Sequence, residues 1–200
     1  MKIYYAPGAC SLSPHIVLRE LGQKFDLVKV DLATKKTEKG DDFAKVNPFG
    51  YVPALQLDNG DVLTEGPAIV QYLADKSGKL APVNGSMERY QLQQWLNFIT
   101  SELHKGMGSL FNKDMAAKAG DLIKTRLGSR LEMLDKHLAG KDFIMGREYG
   151  VADAYAFTVL GWAKHVGVDL AKHRNILAFI ERVGARPAVR EALKAEGLTK

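Results

Sequence analysis

Apolar and polar positions change their period along this chain, and the changes mark its elements. Ile3-Tyr4-Tyr5-Ala6 is a short apolar run stopped by Pro7-Gly8, which predicts a strand. Ile16, Val17, Leu18 and Leu21 then recur at helical spacing, with Ser11 or Ser13 as a cap and Pro14 in the first turn. A helix should therefore begin just after Cys10 and close at Gly22. Phe25 to Val30 alternates as a second strand, and strand–helix–strand order predicts a parallel pair with a crossover helix. From Asp31 to Val46 the chain turns polar and reads as a loop with a short helix. The stretch Gly50-Tyr51-Val52-Pro53-Ala54-Leu55-Gln56-Leu57 alternates again as a strand. Asp58-Asn59-Gly60-Asp61 is a hairpin turn, so Val62-Leu63-Thr64 should pair antiparallel with that strand. Pro67 then opens a helix that ends near Ser77-Gly78.

Leu80-Ala81-Pro82-Val83-Asn84-Gly85 breaks the pattern, and everything beyond it has helical period. Tyr90, Leu92, Trp95, Leu96, Ile99, Leu103, Met107 and Leu110 predict one long helix from Ser86, weakened near its end by Gly106 and Gly108. A second long helix carries Leu122 to Leu138. Gly146 to Leu160 and Ile176 to Val183 supply two more, and the Arg186-Pro187 break starts a last short one. The expected organisation is an α/β unit over residues 1–79 whose element order resembles a thioredoxin-like domain, a linker over 80–85, and an all-α domain over 86–200.

Composition narrows the function. With 46% apolar and 26% charged residues in 200, the chain is an ordinary soluble globular protein. No apolar run approaches the ~18 residues that would span a bilayer, and the N-terminus runs straight into a strand pattern instead of a signal peptide. A cytoplasmic protein without membrane association is expected. The net charge of +5, from 28 basic and 23 acidic residues, is dispersed, which argues against nucleic acid and suits a small anionic substrate. A single cysteine excludes an internal disulfide framework and any multi-cysteine metal site. No metal site is evident.

Two positions carry chemistry. Proline lacks an amide donor and is tolerated mainly at the start or edge of a strand, so Pro53 leaves the Val52 backbone without a ladder partner on one side, where a peptide-like ligand could add as a strand. Cys10, placed after a Pro-Gly turn at a helix N-terminus, gains from the positive helix end, which favours thiolate chemistry.

Five motifs in order resemble the bacterial beta-class glutathione transferases across essentially the whole chain. They are Pro7-Gly8-Ala9-Cys10-Ser11, Asn47-Pro48-x-Gly50-x-Val52-Pro53-Ala54-Leu55, and Leu63-Thr64-Glu65-Gly66-x-Ala68-Ile69. Asn97 followed by Ser101-Glu102-Leu103-His104-Lys105-Gly106 is the fourth, and Val151-Ala152-Asp153-Ala154-Tyr155 the fifth. Within the class the chain looks closest to enzymes associated with degradation of aromatic and chlorinated aromatic compounds. The resemblance implies a homodimeric enzyme with glutathione as co-substrate, no bound cofactor, and a small electrophile as partner.

Carried over residue by residue, the resemblance puts Cys10 beside the glutathione sulfur, able to form a mixed disulfide with it. His104 reaches the sulfur site from the helical domain and, with a pKa near neutrality, holds or relays the thiol proton. Val52 pairs with the cysteinyl backbone through a cis bond to Pro53. Glu65 and Gly66 take the γ-glutamyl end, Lys35 the glycyl carboxylate with Lys36 as an equally good donor, and Asn97 and Ser101 close the site. Tyr4, Tyr5 and Ser11 are rivals to Cys10, since other transferase classes activate the sulfur with a hydroxyl. Gly66 replaces the serine of many other classes, and Gly150 stands where the family usually has a capping threonine or serine, leaving Asp153 to bond back. Peroxide reduction or displacement of aryl halide could accompany conjugation. A glutaredoxin-like thiol–disulfide exchanger using Cys10, and a non-catalytic interaction protein on the same fold, are the alternatives.

Overall fold

Strand β1 (Lys2–Tyr5) pairs in parallel with β2 (Asp26–Asp31), and α1 (Leu12–Glu20) makes the crossover between them, as the element order predicts. In this computed structural model, which describes residues 1–199, a third pairing departs from the sequence reading. The polar segment after Asp31 holds a short strand, β3 (Lys36–Thr37), antiparallel to β2, besides the expected single turn of helix at Phe43–Lys45. Two residues cannot show an alternation, so periodicity gave no sign of it. β4 (Ala54–Gln56) pairs antiparallel with β1, and β5 (Val62–Thr64) with β4. Between them Asn59 Oδ1 accepts the Asp61 amide and Gly60 takes φ +95°, which closes the predicted hairpin. The five-stranded sheet runs β3-β2-β1-β4-β5.

Period-two alternation sorts the two faces of this sheet. Ile3 and Leu55 are fully buried, as are Val17 and Leu18 of α1 and Ile69 and Val70 of α2 (Gly66–Ser77), both of which pack on the sheet. Tyr4 and Ala54 alternate with them and cluster with Val30, Phe43 and Val52. The helix α2 ends at Gly78 in the left-handed conformation that favours glycine.

The helical unit is Pro82–Gly184. It comprises α3 (Met87–Phe98), a π-helical segment (Ile99–His104), α4 (Lys105–Leu110), α5 (Lys113–Leu138), α6 (Val151–Leu160) and α7 (Arg174–Gly184). The single helix expected from Ser86 to Leu110 is thus interrupted by a π segment, a feature that hydrophobic spacing does not reveal and that often marks a functional site. Helix α6 starts at Val151, later than Gly146. Its glycine cap has no side chain, and Asp153 compensates by accepting the amides of Gly150 (2.8 Å) and Ile144 (2.7 Å).

The last helix, α8 (Pro187–Ala195), belongs with the sheet unit and not with the helical domain to which its position in the chain assigned it. It packs on α1 through Val189 and Ala192, and polar groups fasten both ends. Arg186 forms a bidentate pair with Glu20 at 2.6 and 2.9 Å. Just past the other end, the buried Glu196 carboxylate accepts the Gly8 amide at 2.9 Å and meets His15 Nδ1 at 2.8 Å, while Arg19 Nε donates to His15 Nε2 at 2.8 Å. Since Nε2 accepts from arginine, Nδ1 carries the proton toward Glu196. No helix of the described residues is long and apolar enough to cross a membrane, and no group of three or more His, Cys, Asp or Glu among them could hold a metal ion.

Candidate active site

In the sheet unit, the turn after β1 carries Cys10, half-buried and two residues ahead of α1. Its thiol donates to the carbonyl oxygen of Val52 at 3.2 Å, so residues 42 positions apart become neighbours. The Val52–Pro53 bond is cis, and β4 begins only at Ala54. Val52 therefore lies just beyond the ladder, and its amide donates to no acceptor among the described residues. The Ala54–Thr64 register carries Glu65 and Gly66 back beside the proline, where a Cβ on Gly66 would lie 3.9 Å from Pro53 Cγ. Glu65 holds φ +64°, ψ +112° at the mouth of α2, a costly conformation for a side-chain-bearing residue, and its exposed carboxylate does not cap its own helix.

Lys35 and Lys36, equivalent in the sequence, differ in the fold. Lys36 lies exposed in β3. Lys35, at φ +57°, folds back so that Nζ donates to the Gly50 carbonyl at 2.9 Å and lies 5.5 Å from the Tyr51 ring centroid. Gly50 permits this approach, because a Cβ there would stand 3.1 Å from Lys35 Cδ. Sheet and turns thus bring Cys10, Val52, Pro53, Glu65 and Gly66 together, with Lys35 anchored to the same loop.

Two of the rival hydroxyls, those of Tyr4 and Ser11, are otherwise occupied. Tyr4 donates to Gln56 Oε1 at 3.0 Å, and burial, then the nearby Asp41, raises its pKa. Burial, followed by Glu196 and Glu38, raises that of Tyr5. Ser11 is fully buried; its oxygen accepts the Ala6 amide (3.2 Å) and its hydroxyl donates to the Ala6 carbonyl (3.3 Å), so it ties the turn to the end of β1 and does not cap α1.

In the helical unit, His104 is the last residue of the π segment. Its Nδ1 lies 2.6 Å from the Tyr155 hydroxyl, and its ring meets the Trp162 ring edge-on with centroids 4.9 Å apart; Phe111 meets the same indole at 5.8 Å. Burial, then the charge of Lys105, pushes the His104 pKa down to about 4. The near-neutral value expected from sequence is displaced by desolvation, so at neutral pH this imidazole is uncharged. Asn97 is exposed on α3, and Ser101 donates to its backbone carbonyl at 2.9 Å. Thr100, whose oxygen lies 3.3 Å from the Tyr155 hydroxyl, went unnoticed in the sequence. Tyr155 stands there as the last residue of the fifth motif with no role of its own, and no spacing rule links residues 51 apart.

Residues 8–76 match the glutathione S-transferase N-terminal domain and residues 98–187 the C-terminal domain. Glutathione S-transferase GstA of Escherichia coli O157:H7 is 49% identical over 99% of this chain and 100% of its own length. A sphingomonad glutathione S-transferase solved in complex with glutathione shares 49% identity with a TM-score of 0.94, and the bacterial beta-class enzyme of Sphingomonas chungbukensis 50% with a TM-score of 0.95, each over the whole of both chains. The chain belongs to the glutathione S-transferase family and is an enzyme of that activity. Within the family it is a bacterial beta-class transferase, built from a thioredoxin-like domain and an all-helical one.

Proposed function

We propose that this transferase joins the glutathione thiolate to small electrophiles, with halogenated aromatics as the substrate class, and that Cys10 and His104 are its catalytic residues. The observation that carries the reading is the Val52 amide without an acceptor among the described residues, with the Cys10 thiol on the carbonyl of the same residue. The cysteinyl part of glutathione pairs with Val52 as an added strand, and a carbonyl with two lone pairs accepts both the ligand amide and the Cys10 thiol. That pairing sets the glutathione sulfur beside Cys10. The Glu65 carboxylate and the Gly66 amide, at the start of α2, take the γ-glutamyl ammonium and carboxylate, and Lys35 takes the glycyl carboxylate.

The thiol gives up its proton, the sulfur attacks the ring carbon, and halide leaves. His104 is the proton acceptor in this scheme, because a histidine kept neutral has a lone pair for the thiol proton. Asn97 and Ser101 are assigned to glutathione binding, and Phe111 and Trp162 offer an aromatic wall to the electrophile. A second activity, glutathione-dependent disulfide exchange, rests on the same half-buried Cys10.

We place the enzyme in the cytoplasm and read it as a homodimer; for the dimer the support is two large apolar side chains of one loop, Phe49 and Tyr51, that stand 78% and 68% exposed. Steady-state rates with chlorodinitrobenzene, a peroxide and hydroxyethyl disulfide test the reading. Saturable dependence on glutathione with chloride release supports it, and turnover of the disulfide alone would leave Cys10 exchange as the activity.

A further inference from the structure

We propose that Tyr155 and Thr100 are positioning residues that hold His104 in its Nδ1–H tautomer and so leave Nε2 as the proton-accepting atom. The inference deepens the role given above to His104 and rests on it for its catalytic meaning.

The argument is a count of hydrogens. Thr100 Oγ1 lies 2.8 Å from the Leu96 carbonyl, which can only accept, so the single hydroxyl hydrogen of Thr100 is committed there. At its 3.3 Å contact with Tyr155, Thr100 can then only accept, and the phenol hydrogen of Tyr155 goes to it. At the 2.6 Å contact between His104 Nδ1 and the same phenol oxygen, Tyr155 has no hydrogen left to give, so Nδ1 donates. One chain satisfies these three contacts: His104 Nδ1–H to Tyr155, Tyr155 to Thr100, Thr100 to Leu96. The opposite tautomer would set the lone pairs of Tyr155 and Thr100 against each other. Thr100 and His104 both lie in the π segment, and Tyr155 comes from α6, so the break in helical period supplies both partners of the Tyr155 hydroxyl. A neutral imidazole with Nδ1 protonated has its lone pair on Nε2.

Long-range nitrogen–proton NMR of the uniformly labelled protein at neutral pH, with the His104 signals identified by their loss in His104→Gln, reads the tautomer directly. The expected result is a protonated, pyrrole-type Nδ1 and a pyridine-type Nε2. Thr100→Val removes the acceptor of the Tyr155 hydrogen, turns Tyr155 to donate to Nδ1, and should flip the ring to Nε2–H, with kcat for aryl conjugation falling ~10–100-fold as a positioned base is lost. Thr100→Ser keeps the hydroxyl and should keep both the wild-type signals and the rate. A wild-type ring already protonated at Nε2, or a Thr100→Val protein with unchanged signals, overturns the proposal. If the tautomers behave as expected but His104→Gln conjugates at the full rate, the positioning stands and the catalytic role of His104 fails.

Discussion

The Cys10 thiol reaches the Val52 carbonyl at 3.2 Å, which joins the one cysteine of the chain to the strand start where a peptide would add. Cys10→Ala should abolish the enzyme's covalent exchange with hydroxyethyl disulfide, because the chain has no other thiol to form the mixed disulfide. It should slow aryl conjugation ~10-fold, the worth of one hydrogen bond of about 1.4 kcal/mol at the sulfur. Full conjugation activity in the variant would return the role to a hydroxyl, against the bonding of Tyr4 and Ser11.

The two lysines of the β3 approach give a paired test. Lys35→Ala should raise the KM for glutathione ~10-fold, consistent with the loss of a hydrogen bond to a charged group, whereas Lys36→Ala should leave it unchanged. Equal effects would show that Lys35 is not singled out by its contact with Gly50.

His104 links pH to stability. Its folded pKa of about 4 lies below the ordinary 6.5, so between those values the unfolded chain binds a proton that the folded chain refuses. The contribution is complete above about pH 6.5 and is lost as pH falls through 4, amounting to roughly 3 kcal/mol. Urea unfolding near pH 7.5 and near pH 4.5 should therefore show wild type losing about 2 kcal/mol more than His104→Gln. Equal losses in the two proteins would mean that the ring is not desolvated. Conjugation rates should show no His104 inflection between about pH 5.5 and 8.

Glu196 should matter far more than a near-terminal residue usually does. Its buried carboxylate is the acceptor for both Gly8 and His15, and Glu196→Ala would strand the polar chain that runs on to Arg19. A loss of about 2–4 kcal/mol is expected in denaturant unfolding, and a loss below about 0.5 would show that the contacts are not maintained in solution.

Hydrophobic period and turn chemistry by themselves determined most of the elements, since burial of one face imposes a period of two or 3.6 on any strand or helix long enough to show it. The Asn59-Gly60 hairpin, the crossover helix and the helix start at Ser86 are local, and so legible. Cys10, Val52-Pro53 and Glu65 could be named from motifs because each sits at the end of an element, where backbone groups lack partners. Only the tertiary structure decided what depends on distant neighbours. It paired a two-residue strand with β2, returned α8 to the sheet unit through Glu196 and Arg186, and separated Lys35 from Lys36 by a carbonyl at Gly50. It also lowered the His104 pKa by burial and set Thr100 and Tyr155 about its ring. Desolvation and hydrogen-bond counts belong to the surroundings of a side chain, and those are absent from its place in the sequence.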